Sequence, residues 1–106
     1  MYIRMTFVRL KPDKREAARK LYNDEVISTH KGRKGLRFVH LLESIDQKDE
    51  GIAVTAWDTK EDAMVYEKGG DYGKLVEKFK DMIVGEPLLK SYQITASSEP
   101  LLLRIF

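Results

Sequence analysis

The order of periodicities along this chain leaves few folds open. Stretches that alternate every second residue and stretches that repeat every three to four succeed one another as strand, helix, strand, strand, helix, strand. Residues 2–10 are rich in β-branched and aromatic types and read as the first strand. Pro12 and Asp13 come next, and Asp13 with Glu16 has the spacing of a capping box. Ala18, Tyr22 and Val26 then recur four apart, with Leu21 beside them, which predicts a helix ending near His30 with Gly32 as its stop.

Residues 36–44, LRFVHLLES, read as the second strand, and 52–58, IAVTAWD, as the third. A polar turn ending in Gly51 joins them as a hairpin. Asp58-Thr59-Lys60-Glu61 repeats the capping pattern and opens the second helical region. Gly69-Gly70 interrupts that region. Leu75, Val76, Phe79, Met82 and Ile83 then form the apolar stripe of a last helix. Pro87 ends it, and residues 88–96 read as the fourth strand. A β-α-β-β-α-β chain makes an α+β, ferredoxin-like domain, a four-stranded antiparallel sheet with both helices on one face. Its 106 residues suffice for one domain, here set at 1–98, with an arm at 99–106.

Helices on one face of a sheet leave the other to water, and that face should then be polar. It is not. Leu36, Phe38, His40 and Leu42 share one side of the second strand, while Val39 and Leu41 take the other. Ile52, Val54 and Ala56 oppose Ala53, Thr55 and Trp57, and Leu88, Tyr92 and Ile94 oppose Leu89. Two apolar faces need two covers. A second copy of the chain is the simplest, so a homodimer is expected. The arm carries Leu101, Leu102, Leu103, Ile105 and Phe106 behind Pro100. Burying each of these is worth roughly 1.5–3 kcal/mol, so residues 99–106 are expected to dock as an added strand or arm, across the dimer interface onto the partner chain.

Composition narrows function mainly by exclusion. With no Cys, disulfides and thiolate chemistry are ruled out. A net charge of +2 from 19 basic and 17 acidic residues lacks the one-sided basic surface that nucleic acid demands. Arg4 and Arg9 inside the first apolar stretch argue against a signal peptide or membrane span, so the expected location is cytoplasmic. No set of His and carboxylates at metal spacing and no GxSxG motif appears, so no metal site is expected.

Chemistry then rests on histidines and aromatics. His40 lies among Leu and Val, where a neutral imidazole could serve as a general base; the plainer reading is a core or interface histidine. His30, at a helix end, reads as a dipole partner. Tyr66 and Tyr72 flank the glycine pair and could line or gate a pocket for a flat ligand, or simply pack. The stretch His30–Gly35 is basic and reads as a solvated turn rather than an anion loop.

VTAWDTKEDAMVYEKGGDYGKLVEKF, residues 54–79, resembles the antibiotic biosynthesis monooxygenase family of the dimeric α/β-barrel superfamily. Trp57, Ala63 and Tyr72 fit its strand-end, helix and post-gap positions, and the resemblance extends weakly over residues 2–96. The resemblance implies a homodimer whose sheets close into a barrel, with a pocket between each sheet and its helices. Some members of that family are cofactor-independent monooxygenases acting on polycyclic phenols or quinols, some degrade haem, and many have no known activity. The haem-degrading branch has Asn, Trp and a ligating His where this chain has Thr6, Tyr66 and Val76. Valine cannot ligate iron, so haem degradation is not expected. His40, Tyr66 and Tyr72 are the candidate catalytic residues and Thr6, Trp57, Tyr66 and Phe79 the candidate ligand contacts, with no cofactor expected. The first functional reading is a small-molecule-binding protein that acts as a cofactor-independent monooxygenase on an aromatic or quinol-type substrate. The alternative is a non-catalytic dimeric binding or stress-related accessory protein. A cavity with a polar group on its wall favours the first, and a solid core the second.

Overall fold

The computed structural model describes residues 1–98; the apolar arm expected at 99–106 lies outside the described residues. Four strands, β1 (Tyr2–Arg9), β2 (Leu36–Glu43), β3 (Glu50–Trp57) and β4 (Leu88–Gln93), form one antiparallel sheet in the order β2-β3-β1-β4. The expected ferredoxin-like α+β fold is the observed one. Pairing Tyr2 with Trp57 and Arg4 with Thr55 puts Arg4, Thr6 and Val8 on the face shared by Ala53, Thr55 and Trp57.

The first helix is composite. α1 (Arg15–Leu21) runs into a π-helical turn (Tyr22–Val26) and out through α2 (Ile27–His30). The capping box expected at Asp13 and Glu16 does not form. Pro12–Lys14 make a separate 3₁₀ turn, Lys14 takes the cap position of α1, and no side chain bonds the free amides there. Asp13 sits inside that turn and so cannot cap α1. Gly32, at φ 77°, stops α2 as expected.

α3 (Lys60–Lys68) starts at Thr59, whose Oγ1 accepts from the Asp62 amide at 3.1 Å. Asp58 takes no part in the cap; it pairs with Arg37. Gly35, at φ 78°, packs so closely on Asp62 that a Cβ would lie 2.1 Å from its Oδ2, which leaves glycine alone there. α4 (Gly70–Phe79) begins after the expected break at Gly69.

The core lies between sheet and helices. Leu36, Val39, Trp57, Ala63 and Tyr66 form one cluster; Tyr22, Val26 and Leu75 form another, backed by Leu41, Ala53 and Phe79. Leu36 therefore faces the helices rather than sharing a side with Phe38. A register shift between the two carries Leu36 across. Phe38 and His40 do share a side, as the two-residue period requires, and their rings stack at 4.7 Å. On that bare side Ile3, Val54 and Ala56 are packed under Met5, Phe38, Ile52 and Ile94.

Candidate functional site

Sheet and helices do not close completely on each other. They leave a cavity of about 150 Å³. Its floor is Arg4, Thr6 and Val8 of β1 with Ala53 and Thr55 of β3. Its roof carries Tyr22, Val26, His30, Tyr66, Tyr72 and Leu75. The row Ala18, Tyr22, Val26 and His30, each four residues from the last, comes from the first helix and reaches the cavity as one stripe.

His30 is 2% exposed. Its Nδ1 lies 2.6 Å from the Val26 carbonyl oxygen. A carbonyl only accepts, so Nδ1 carries the proton and Nε2 keeps its lone pair. Nε2 is buried and has no hydrogen-bond partner among the described residues. Burial pushes the imidazole below its ordinary pKa; the bond to Val26 opposes this, and the nearby Arg33 guanidinium adds to it. At neutral pH the ring is therefore an uncharged base in a fixed tautomer.

Tyr66 is the hub of the aromatic wall. Its ring centroid lies 4.5 Å from His30, 5.4 Å from Trp57 and 5.4 Å, edge-on, from Tyr72. Arg33 lies over the same ring at 4.9 Å and is held there by Asp71 at 2.5 Å. Burial raises the pKa of Tyr66 and of Tyr72, so both phenols stay protonated. Beyond Tyr72 the polar wall continues as a two-pronged ion pair. Arg4 Nε and Nη2 donate to the two carboxylate oxygens of Glu67, both at 2.9 Å, and Nη1 donates to Ser91 at 2.7 Å.

The expected residues divide. Thr6, Tyr66, Tyr72 and Phe79 line this cavity together. Trp57 does not. It is 1% exposed behind Tyr66, with Nε1 donating to Thr55 Oγ1 at 2.9 Å, and its far side borders a shallow outer hollow with Lys31 and Arg33. His40 is exposed on the opposite side of the sheet, stacked on Phe38, and the fold does not bring it to Tyr66 or Tyr72. The buried histidine of the cavity is His30. The signal that finds it is its place as the next member of the Ala18–Tyr22–Val26 row. Val76, at the position of the haem ligand in the resembling branch, lines the cavity with a side chain that has no donor atom. Among the described residues no three His, Cys, Asp or Glu side chains gather as a metal site, and no helix is long and apolar enough to cross a membrane.

Comparisons with known proteins agree with this architecture. No curated protein matches the chain. Among solved structures, a candidate antibiotic biosynthesis monooxygenase from Nitrosomonas europaea superimposes with a TM-score of 0.79 at 19% identity, over 91% of this chain and 100% of its own. One from Deinococcus radiodurans gives 0.79 at 11% identity, over 95% and 99%. A conserved protein of unknown function from Bacteroides thetaiotaomicron gives 0.73 at 21%, over 88% and 97%. At these identities the likeness speaks for the fold alone. The family model for antibiotic biosynthesis monooxygenase matches residues 1–78, which contain the sheet-side floor, His30, Tyr66, Tyr72 and the Arg4–Glu67 pair. With most of its length and most of its cavity inside that match, the chain belongs to the antibiotic biosynthesis monooxygenase family.

Proposed function

We propose that this protein binds a phenol or quinol in the sheet–helix cavity and oxygenates it without a cofactor. The observation that carries this reading is His30. A buried imidazole with Nδ1 bonded to a backbone carbonyl and Nε2 unpartnered is set to accept one proton and no more. A substrate hydroxyl supplies the missing donor. Loss of its proton to Nε2 gives a phenolate, which passes an electron to O₂. Recombination at a ring carbon forms a peroxide anion; the proton of that carbon passes to the outer oxygen as the O–O bond breaks, leaving a quinone and hydroxide. Phenol and O₂ thus balance against quinone and water, with the imidazolium returning its proton to the departing hydroxide. The apolar walls around Tyr66 and Leu75 keep bulk water from the phenolate.

His30→Gln keeps the size of the side chain and removes the base. Oxygen uptake with a simple hydroquinone should fall by about 10²-fold or more, whereas His40→Gln should change it less than twofold. Equal rates for wild type and His30→Gln would reject the assignment.

The same reading includes a homodimer, with a second copy on the side of the sheet that bears Ile3, Phe38, Ile52 and Ile94. An apolar side of the sheet that no other element among the described residues covers supports it. Phe38→Glu should yield a monomer by sedimentation; a wild-type monomer at the same concentration would end the idea.

A further inference from the structure

The walls of the cavity change character along β1. Alternate residues of one strand face it: Arg4, Thr6, Val8 and then Leu10. At about 3.4 Å per residue this line is about 20 Å long. Its first half meets His30, Tyr66, Tyr72 and the Arg4–Glu67 pair. Beyond Val8 the lining includes Leu10, Phe79, Ile83 and Pro87, with Leu10 bridged to Ile83. A cavity of about 150 Å³ holds one benzene ring, and here a similar volume is bordered by residues from Arg4 to Pro87. A single hydroxylated ring with an apolar chain behind it has the matching polarity.

We propose that the ligand of this site is an amphiphilic phenol, with one hydroxylated ring at the His30–Arg4 end and an unbranched apolar tail running along Val8 and Leu10 towards Ile83 and Pro87. This rests on the phenol-binding half of the functional reading and not on the oxygen chemistry. The polar end anchors the ring through its hydroxyl. The apolar end selects by length, because each methylene taken out of water adds a constant increment of affinity.

Calorimetric titration of the whole protein under nitrogen, with 4-alkylphenols of increasing length, tests the proposal without turnover. Affinity should rise about fourfold per methylene from ethyl to butyl, and 4-butylphenol should bind more tightly than 2-naphthol. A series that stays flat, or naphthol binding as tightly as butylphenol, overturns it. Two variants place the tail. Val8→Phe should collapse the ratio of affinities between butylphenol and phenol. Phe79→Ala should carry the rise to longer chains than the wild type accepts. If Val8→Phe does not fold, Phe79→Ala decides by itself, and an unaltered length dependence in it overturns the proposal. Oxygen uptake with the tightest binder then judges the catalytic reading separately: length-dependent binding with no uptake keeps this inference and removes the oxygenase.

Discussion

The two sides of the sheet obey one rule and end differently. Both adopt the two-residue alternation of the strands, and both are apolar. On the helix side the chain covers its own strands and encloses His30, 2% exposed, with one nitrogen bonded and the other without a partner among the described residues. On the other side nothing from residues 1–98 covers Phe38, Ile52 or Leu88, and His40 stands in the open on Phe38. An imidazole in water is an ordinary surface group. The same ring held dry keeps one tautomer and presents a buried lone pair. Cover, and not residue type, decides which of the two histidines matters.

The largest expected effect concerns what supports the enclosed side. Trp57→Ala removes the ring that backs Tyr66 and should cost about 3–5 kcal/mol in denaturant unfolding, a large part of the stability of a domain this size. His40→Ala, on the side that a second copy would cover, should cost far less, about 1 kcal/mol or below. Similar losses at both positions would erase the distinction between the two sides.

Acid sharpens the contrast next. The His30 pKa is lowered in the folded protein, chiefly by burial and further by Arg33. Above the unfolded value of about 6.5 both states are neutral and the residue adds no pH dependence. Below it the unfolded chain takes up a proton that the folded chain refuses. Stability should therefore fall as pH drops from 7 to 5, with a slope of up to about 1.4 kcal/mol per pH unit from this group. His30→Phe should lose that part of the slope. His40→Phe should keep it.

A smaller effect marks the start of α3, which carries Tyr66 and Glu67 to the cavity. Thr59→Ala removes the Oγ1 that accepts from the Asp62 amide and should cost about 1 kcal/mol. No loss would mean that the helix start is held by Gly35 and Asp62 instead.

Strand order, hairpin and the Gly69 break are legible in the sequence because period and punctuation are local properties. That Phe38 and His40 share a side comes from the pleat alone. The placement of Leu36 does not, because the bulge next to Arg37 carries no Gly or Pro to announce it. The 3₁₀ turn at Pro12–Lys14 defeats the capping box at Asp13 for a similar reason: Pro12 starts a turn early and takes Asp13 out of the cap position. At the site, Tyr66 and Tyr72 are legible from their place beside the glycine break and Phe79 from the apolar stripe of the last helix, while Thr6 is reached through the family resemblance. His30 reads in sequence as a dipole partner at the helix end. Its burial depends on the far wall, where Tyr66 and Arg33 come from segments outside its own helix. The i+4 row that ends in His30 is the one local clue, and it needs the first helix to run unbroken through the π-helical turn.

His30, and not His40, is proposed here as the neutral base of a phenol site. Long-range nitrogen–proton NMR of the two imidazoles, recorded at pH 7 with and without 4-butylphenol, tests it directly. His30 should be the Nδ1-protonated tautomer before addition, its Nε2 resonance should move on saturation, and His40 should stay where it was. A shift confined to His40, or a His30 found already protonated at pH 7, would contradict it.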